Sequence, residues 1–173
     1  AKGDILEVGI GSGLNIPYYD PKKINKIIGL DPSEELNEMA KENAAKSDIN
    51  IDILIAGAEE IPLPSNSIDT VLITYTLCTI PNLADSLKEI KRVMKNDAEM
   101  IFCEHGIAPD LRIQNWQNKI NPLWGKLFGG CNINRDIPKI LVNSEFKIQT
   151  LEQMYLPSTP KIVGYNYWGL AKI

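Results

Sequence analysis

The sequence is poor in several things at once. Its 173 residues include three cysteines and one histidine. Cys78, Cys103 and Cys131 are far apart, odd in number and lack metal spacing, so neither a disulfide framework nor a zinc site is indicated. Such cysteine usage fits a reducing, cytoplasmic setting. No apolar run approaches the ~20 residues of a membrane span, and no signal peptide precedes the first strand. Basic residues number 18 against 22 acidic ones, for a net charge of −4 and a pI near 5.1. That balance makes no bulk electrostatic case for a nucleic-acid partner. Internal repeats, low-complexity stretches and linkers are also lacking, and the length suits one domain over 1–173 with a sizeable core.

What is present is concentrated near the start. Asp4-Ile5-Leu6-Glu7-Val8 reads as a buried strand ending in an acid, followed by glycines at Gly9, Gly11 and Gly13 and then Leu14-Asn15. These glycines permit positive φ and close backbone approach to a ligand, and a following helix offers free N–H groups. A dinucleotide fingerprint would need a glycine where Leu14 stands, so that pattern fails. A carboxylate at Glu7 would repel a pyrophosphate and suits a cationic ligand bearing an ammonium or sulfonium group.

Further along, Lys26–Leu30 forms a second apolar run that ends in Asp31, about eighteen residues beyond Gly13. In nucleoside-binding α/β folds a carboxylate there accepts hydrogen bonds from both ribose hydroxyls. The alternative is a helix N-cap, because Asp31-Pro32-Ser33-Glu34-Glu35 is a good helix start. The spacing predicts a helix over 33–46 with Leu36, Met39, Ala40 and Asn43 on one face. Strands are expected at 51–56, 67–74 and 99–103, with a helix at 83–94 and a turn at 95–98. The fourth strand ends at Thr74-Tyr75, and the fifth closes at Glu104-His105-Gly106, where a titratable pair at a strand tip serves either as base and orienting group or merely to shape the rim.

Between 107 and 134 lies an apolar insertion in which Ile113, Trp116, Ile120, Leu123, Trp124, Leu127 and Phe128 recur at helical spacing. Asn121-Pro122 is expected to break it. It is either core, an acceptor-site lid, or a surface leaning on lipid, with Trp116 and Trp124 as interfacial aromatics. After a short helix at 135–143, residues 146–155 and 162–171 are too close in sequence for a crossover and must pair antiparallel.

The pattern Glu7-x-Gly9-x-Gly11-x-Gly13 resembles motif I of the class I S-adenosylmethionine-dependent methyltransferases. The terminal hairpin agrees with the sheet order of that family, a Rossmann-like doubly wound α/β sheet 3-2-1-4-5-7-6 with the last strand antiparallel. The run Leu77-Cys78-Thr79-Ile80-Pro81, then Glu104-His105-Gly106, Trp116, Asn121-Pro122-Leu123-Trp124, Gly129-Gly130-Cys131 and Arg135, is similar to a narrower group. This group comprises animal alkyl-thiol methyltransferases and bacterial phospholipid- or quinone-type relatives.

The resemblance implies S-adenosylmethionine as cofactor, S-adenosylhomocysteine as product, and a small, apolar acceptor such as a thiol, amine or lipid-like molecule. It implies cofactor contacts at Glu7, Gly9, Gly11, Gly13, Asn15, Asp31, Pro32, Ala58, Glu59, Thr74 and Tyr75, and no resident metal. Ala58 and Glu59 would meet the adenine end, although Glu59 reads equally as a solvent-facing loop acid. His105, with Glu104 beside it, is the first suspect for a base if the acceptor is a hydroxyl. Partners are then a small acceptor and, through the insertion, peripheral lipid; the sequence carries no sign of oligomeric state. Only three residues precede the first strand, so the leader that often closes such a site lies outside this sequence or is lacking. The alternative function is a cofactor-binding module without activity, which a filled acceptor cleft would favour and an open one would oppose.

Overall fold

The computed structural model describes residues 1–173. Its seven strands are β1 (Gly3–Val8), β2 (Ile24–Leu30), β3 (Ile51–Leu54), β4 (Ile68–Thr74), β5 (Met94–His105), β6 (Lys147–Tyr155) and β7 (Tyr165–Lys172). They form one sheet in the order β3-β2-β1-β4-β5-β7-β6. β1 to β5 run parallel, and β7 lies antiparallel to both β5 and β6. The expected order and the antiparallel final strand are thus present. The central strands are the most apolar: Ile5, Leu6 and Val8 of β1 and Val71 and Ile73 of β4 are at most 1% exposed, as parallel strands covered on both faces require. β6 closes the edge with mostly exposed residues, among them the charged Lys147 and Glu152, which discourages pairing with another chain.

The helices are α1 (Glu34–Ala44), α2 (Leu83–Val93), α3 (Leu111–Leu127) and α4 (Ile137–Asn143). The stretch after the glycine loop is only a 3₁₀ turn at Ile16–Tyr18, consistent with Pro17 inside it. α2 buries Ser86, Leu87, Ile90 and Val93 and is capped by the Asn82 side chain, as its periodicity predicts.

Three expectations need correction. In α1 the buried residues are Asn37 and Ala40, while Leu36 and Met39 are exposed. The helix docks through polar anchors: Asn37 Nδ2 donates to the Asp31 carbonyl at 2.9 Å and Asn43 Nδ2 to the Ser12 carbonyl at 2.9 Å. The turn expected at 95–98 is absorbed into β5, whose pairing with β4 jumps from Ile68↔Met94 to Thr70↔Glu99, so the extra residues form an irregularity within the strand.

The third correction concerns α3, which runs unbroken through Pro122. Contacts made by the turn before the proline hold the helix in place. Asn121 Oδ1 accepts from the Ile133 N–H and Asn121 Nδ2 donates to Asn132 Oδ1, while Asn134 Nδ2 donates to Asn118 Oδ1. The only buried residue of α3 is polar. Gln117 Nε2 donates to the carbonyls of Gly106, Ile133 and Ile162, and its Oε1 accepts from the Ala108 N–H. Leu123, Leu127 and Phe128 are instead more than half exposed. No helix is long and apolar enough to cross a membrane.

Candidate functional site

Parallel α/β sheets place ligands outside the carboxyl ends of their strands, where the strand order reverses. Here the reversal falls between β1 and β4, and a cavity of 530 Å³ opens there. Its volume is in the range of small-ligand sites. Gly9, Gly11, Asp31, Pro32, Ala58, Glu59, Thr74 and Tyr75, all expected on sequence grounds, line it.

The glycine loop owes its path to backbone freedom. Gly9 has φ +73°, and a Cβ there would run into the Thr76 side chain. Gly11, at φ +54°, has nothing within 4 Å of where its Cβ would be, so the cavity reaches the bare backbone. Its N–H is held by Asp31 Oδ2 at 3.0 Å, while Asp31 Oδ1 accepts from the Ser33 N–H at 2.9 Å. The N-cap of α1 is Ser33, which accepts from the Leu36 N–H. Asp31 is therefore no cap but a carboxylate on the cavity wall, with lone pairs left on both oxygens.

Glu7, Gly13 and Asn15 do not line the cavity. Glu7 is 1% exposed; its Oε1 accepts from Asn15 Nδ2 at 2.8 Å and its Oε2 from the Tyr19 hydroxyl at 2.7 Å. Asn15 also donates to Thr74 Oγ1 at 2.8 Å, so these residues tie the tips of β1 and β4 together from beneath the loop. In this structure Glu7, expected as a counter-charge to the cofactor, has both oxygens engaged by Asn15 and Tyr19 and buttresses the loop from beneath. Burial pushes the Glu7 carboxyl above its ordinary value, against the pull of Tyr19 and Asn15, and it holds the Tyr19 hydroxyl far above its own.

Glu104 and His105 also lie outside the cavity lining. Glu104 is fully buried, and its Oε1 accepts from the N–H groups of Thr76 and Leu77 at 2.6 and 2.8 Å. Burial pushes its carboxyl up to about 7, opposed by those N–H donors. It shapes the turn after β4 from below. His105 Nε2 faces Cys131 Sγ at 3.2 Å, its ring stacks on Tyr75, and burial lowers its basicity. Of the two readings for this pair, shaping of the rim is the one the contacts describe. Tyr75 adopts a left-handed φ of 52°, and its hydroxyl donates to Oδ1 of Asn166 on β7 at 2.7 Å.

Thr76, Thr79, Ile80 and Pro81 extend the cavity wall along the stretch after β4, the strand end expected to line the site. Sequence reasoning missed Gly129, which joins the wall from the loop after α3. Cys78, His105 and Cys131, whose spacing indicated no zinc site, nevertheless converge in space, with ligand atoms all within 4.8 Å of one another. Linear spacing hid it, because each residue sits on a different segment. Cys103 stays apart from that cluster.

Comparison with known proteins agrees with this geometry. A family model described as a methyltransferase domain matches residues 6–102, more than half of the chain. A human thiol S-methyltransferase is 29% identical over 175 residues, which cover 98% of this chain and 70% of that protein. A ubiquinone/menaquinone biosynthesis C-methyltransferase of Geotalea uraniireducens is 34% identical over 146 residues, covering 79% of this chain and 61% of that one. Among solved structures, a methyltransferase from Methanosarcina mazei superposes with a TM-score of 0.79 at 18% identity, covering 98% of this chain and 91% of that one.

Proposed function

Because the chain belongs to the class I S-adenosylmethionine-dependent methyltransferases, we propose that it methylates the sulfur of a small, apolar thiol by direct in-line transfer. The observation that carries this reading is a cavity furnished for positioning and not for acid–base work. Asp31 is the carboxylate suited to the ribose hydroxyls, Ala58 and Glu59 stand where the adenine would lie, and the bare backbone of Gly9 and Gly11 permits close approach. These residues fit the cofactor by donor chemistry and by space. S-adenosylmethionine supplies a methyl group on a sulfonium, a leaving group that needs no acid to depart.

The protein's part is then alignment and exclusion of water. Thr74 and Tyr75 form the wall between the glycine loop and the open end beside Thr79, Ile80 and Pro81. An open cleft at this position argues for an enzyme over an inactive module. Neither Glu104 nor His105 reaches the lining, so this pair offers no base there, which favours an acceptor that ionises unaided. A thiol of pKa ~8.5 is partly ionised near neutrality, whereas an alcohol is not. The name of the human relative points the same way, and its similarity spans the insertion and hairpin as well as the cofactor half. An apolar acceptor fits the exposed Leu127 and Phe128, which precede Gly129 at the cavity rim.

The test is turnover of matched alkyl thiols, alcohols and amines with S-adenosylmethionine, with products identified by mass. We expect S-methyl products alone, with kcat/KM rising about tenfold per pH unit below the thiol pKa of ~8.5. Turnover of the alcohol or amine without the thiol would overturn the proposal.

A further inference from the structure

Cys78, His105 and Cys131 reach one point from the turn after β4, the end of β5 and the loop that follows α3. We propose that they form a binding site for one zinc ion, which fastens the loop after α3 to the strand tips beside the cavity. The assignment stands on geometry independent of the methyl-transfer reading. All three ligand atoms lie within 4.8 Å of one another, and Cys131 Sγ is already 3.2 Å from His105 Nε2. With Zn–S near ~2.3 Å and Zn–N near ~2.0 Å, ligand atoms in a tetrahedral site sit roughly 3.5–3.8 Å apart, so small side-chain movements complete the shell.

The backbone around the ligands is already tied together. The Cys78 carbonyl accepts from the Asn132 N–H at 2.9 Å and from Asn132 Nδ2 at 3.1 Å, which joins the residue after Cys131 directly to Cys78. Arg135 donates to the carbonyls of Leu77 and Ile80, and Glu104, the neighbour of His105, accepts from the N–H groups of Thr76 and Leu77. Each ligand's segment is thus bonded to another's, the kind of supporting frame that a metal site requires.

The donor set selects the ion. Two sulfurs and an imidazole suit zinc and disfavour magnesium or calcium, which prefer oxygen. Two thiolates and a neutral ring also balance a divalent charge, so occupancy leaves no net charge at a site where Cys78 is 2% exposed. Three protein ligands leave the fourth position to a water.

The experiment is elemental analysis of the reduced protein, followed by removal of metal with a chelator and titration with cobalt(II), read by thiolate-to-cobalt charge-transfer absorption. We expect about one metal per chain, retained in Cys103→Ala. We expect affinity at least about a hundredfold weaker in Cys131→Ser and Cys78→Ser. Cys131 is half-buried on a loop, so its variant remains informative if Cys78→Ser fails to fold. A wild-type protein with three free thiols and no bound metal, a disulfide between Cys78 and Cys131, or full binding by Cys131→Ser would each overturn the assignment.

Discussion

Glu7 shows at the scale of one side chain how burial redirects chemistry. Its carboxyl is held above its ordinary value of 4.5 by burial, while Tyr19 and Asn15 hydrogen-bond to it. Below pH 4.5 it is protonated in both folded and unfolded chains. Above that pH the unfolded chain releases the proton first while the folded chain retains it. Folding then binds a proton, and this group's contribution to stability falls as pH rises until the folded carboxyl also ionises. Glu7→Gln keeps an acceptor for Asn15 and a partner for Tyr19 but has no proton to lose. Denaturation series on both proteins should therefore show the variant gaining on wild type as pH rises above 4.5 and then levelling off; parallel curves would mean that Glu7 ionises freely. The sequence showed an acid at this strand end but not its orientation, which depends on Tyr19 lying across the loop.

Among the elements, α3 departs furthest from its sequence pattern. Its apolar residues recur at helical spacing, yet the one buried residue is Gln117 and several of the apolar ones face outward. Periodicity reports that a helix has an apolar stripe; it does not report which stripe meets the protein. The signal that decides is hydrogen-bond demand. The carbonyls of Gly106, Ile133 and Ile162 and the N–H of Ala108 come from three separate segments; the Gln117 Oε1 accepts from the N–H, and its Nε2, with two hydrogens, lies within 2.9–3.1 Å of all three carbonyls and shares its hydrogens among them. Gln117→Leu, which conserves size and adds apolar surface, should nevertheless destabilise the fold by about 3 kcal/mol or more because it leaves buried backbone groups unpaired. For a chain of this length that corresponds to roughly 6–12 °C in Tm, measurable by calorimetry; an unchanged or higher Tm would refute the bracing role. The same shortage of local information explains Pro122. The asparagines that hold the turn of helix before it, Asn118 and Asn121, bond to residues 132–134, beyond any local window.

For the molecule as a whole, the sheet order was legible because each parallel strand carries its own apolar run and the two last strands are too close for a crossover. The cavity was legible where its residues stand at strand ends, as with Asp31 and Thr74, since topology alone sends those ends to one side. Illegible were the contributions from remote loops: Gly129 on the rim, and the meeting of Cys78, His105 and Cys131. These depend on where a long insertion returns to the sheet, which no spacing rule encodes. The expected cofactor contacts that line the cavity thus follow from the geometry of a parallel sheet, whereas α3 and its following loop add Gly129 to the rim.

Calorimetric titration of the purified chain tests most directly whether the cavity at the β1–β4 reversal is the S-adenosylmethionine site. We expect one-site binding of S-adenosylmethionine and S-adenosylhomocysteine and none of NAD. We also expect Asp31→Ala to bind about 10- to 100-fold more weakly, the loss of charge-assisted bonds to a ribose being about 1.5–3 kcal/mol. Binding of NAD in place of the sulfur nucleosides, or full affinity in Asp31→Ala, would contradict that assignment.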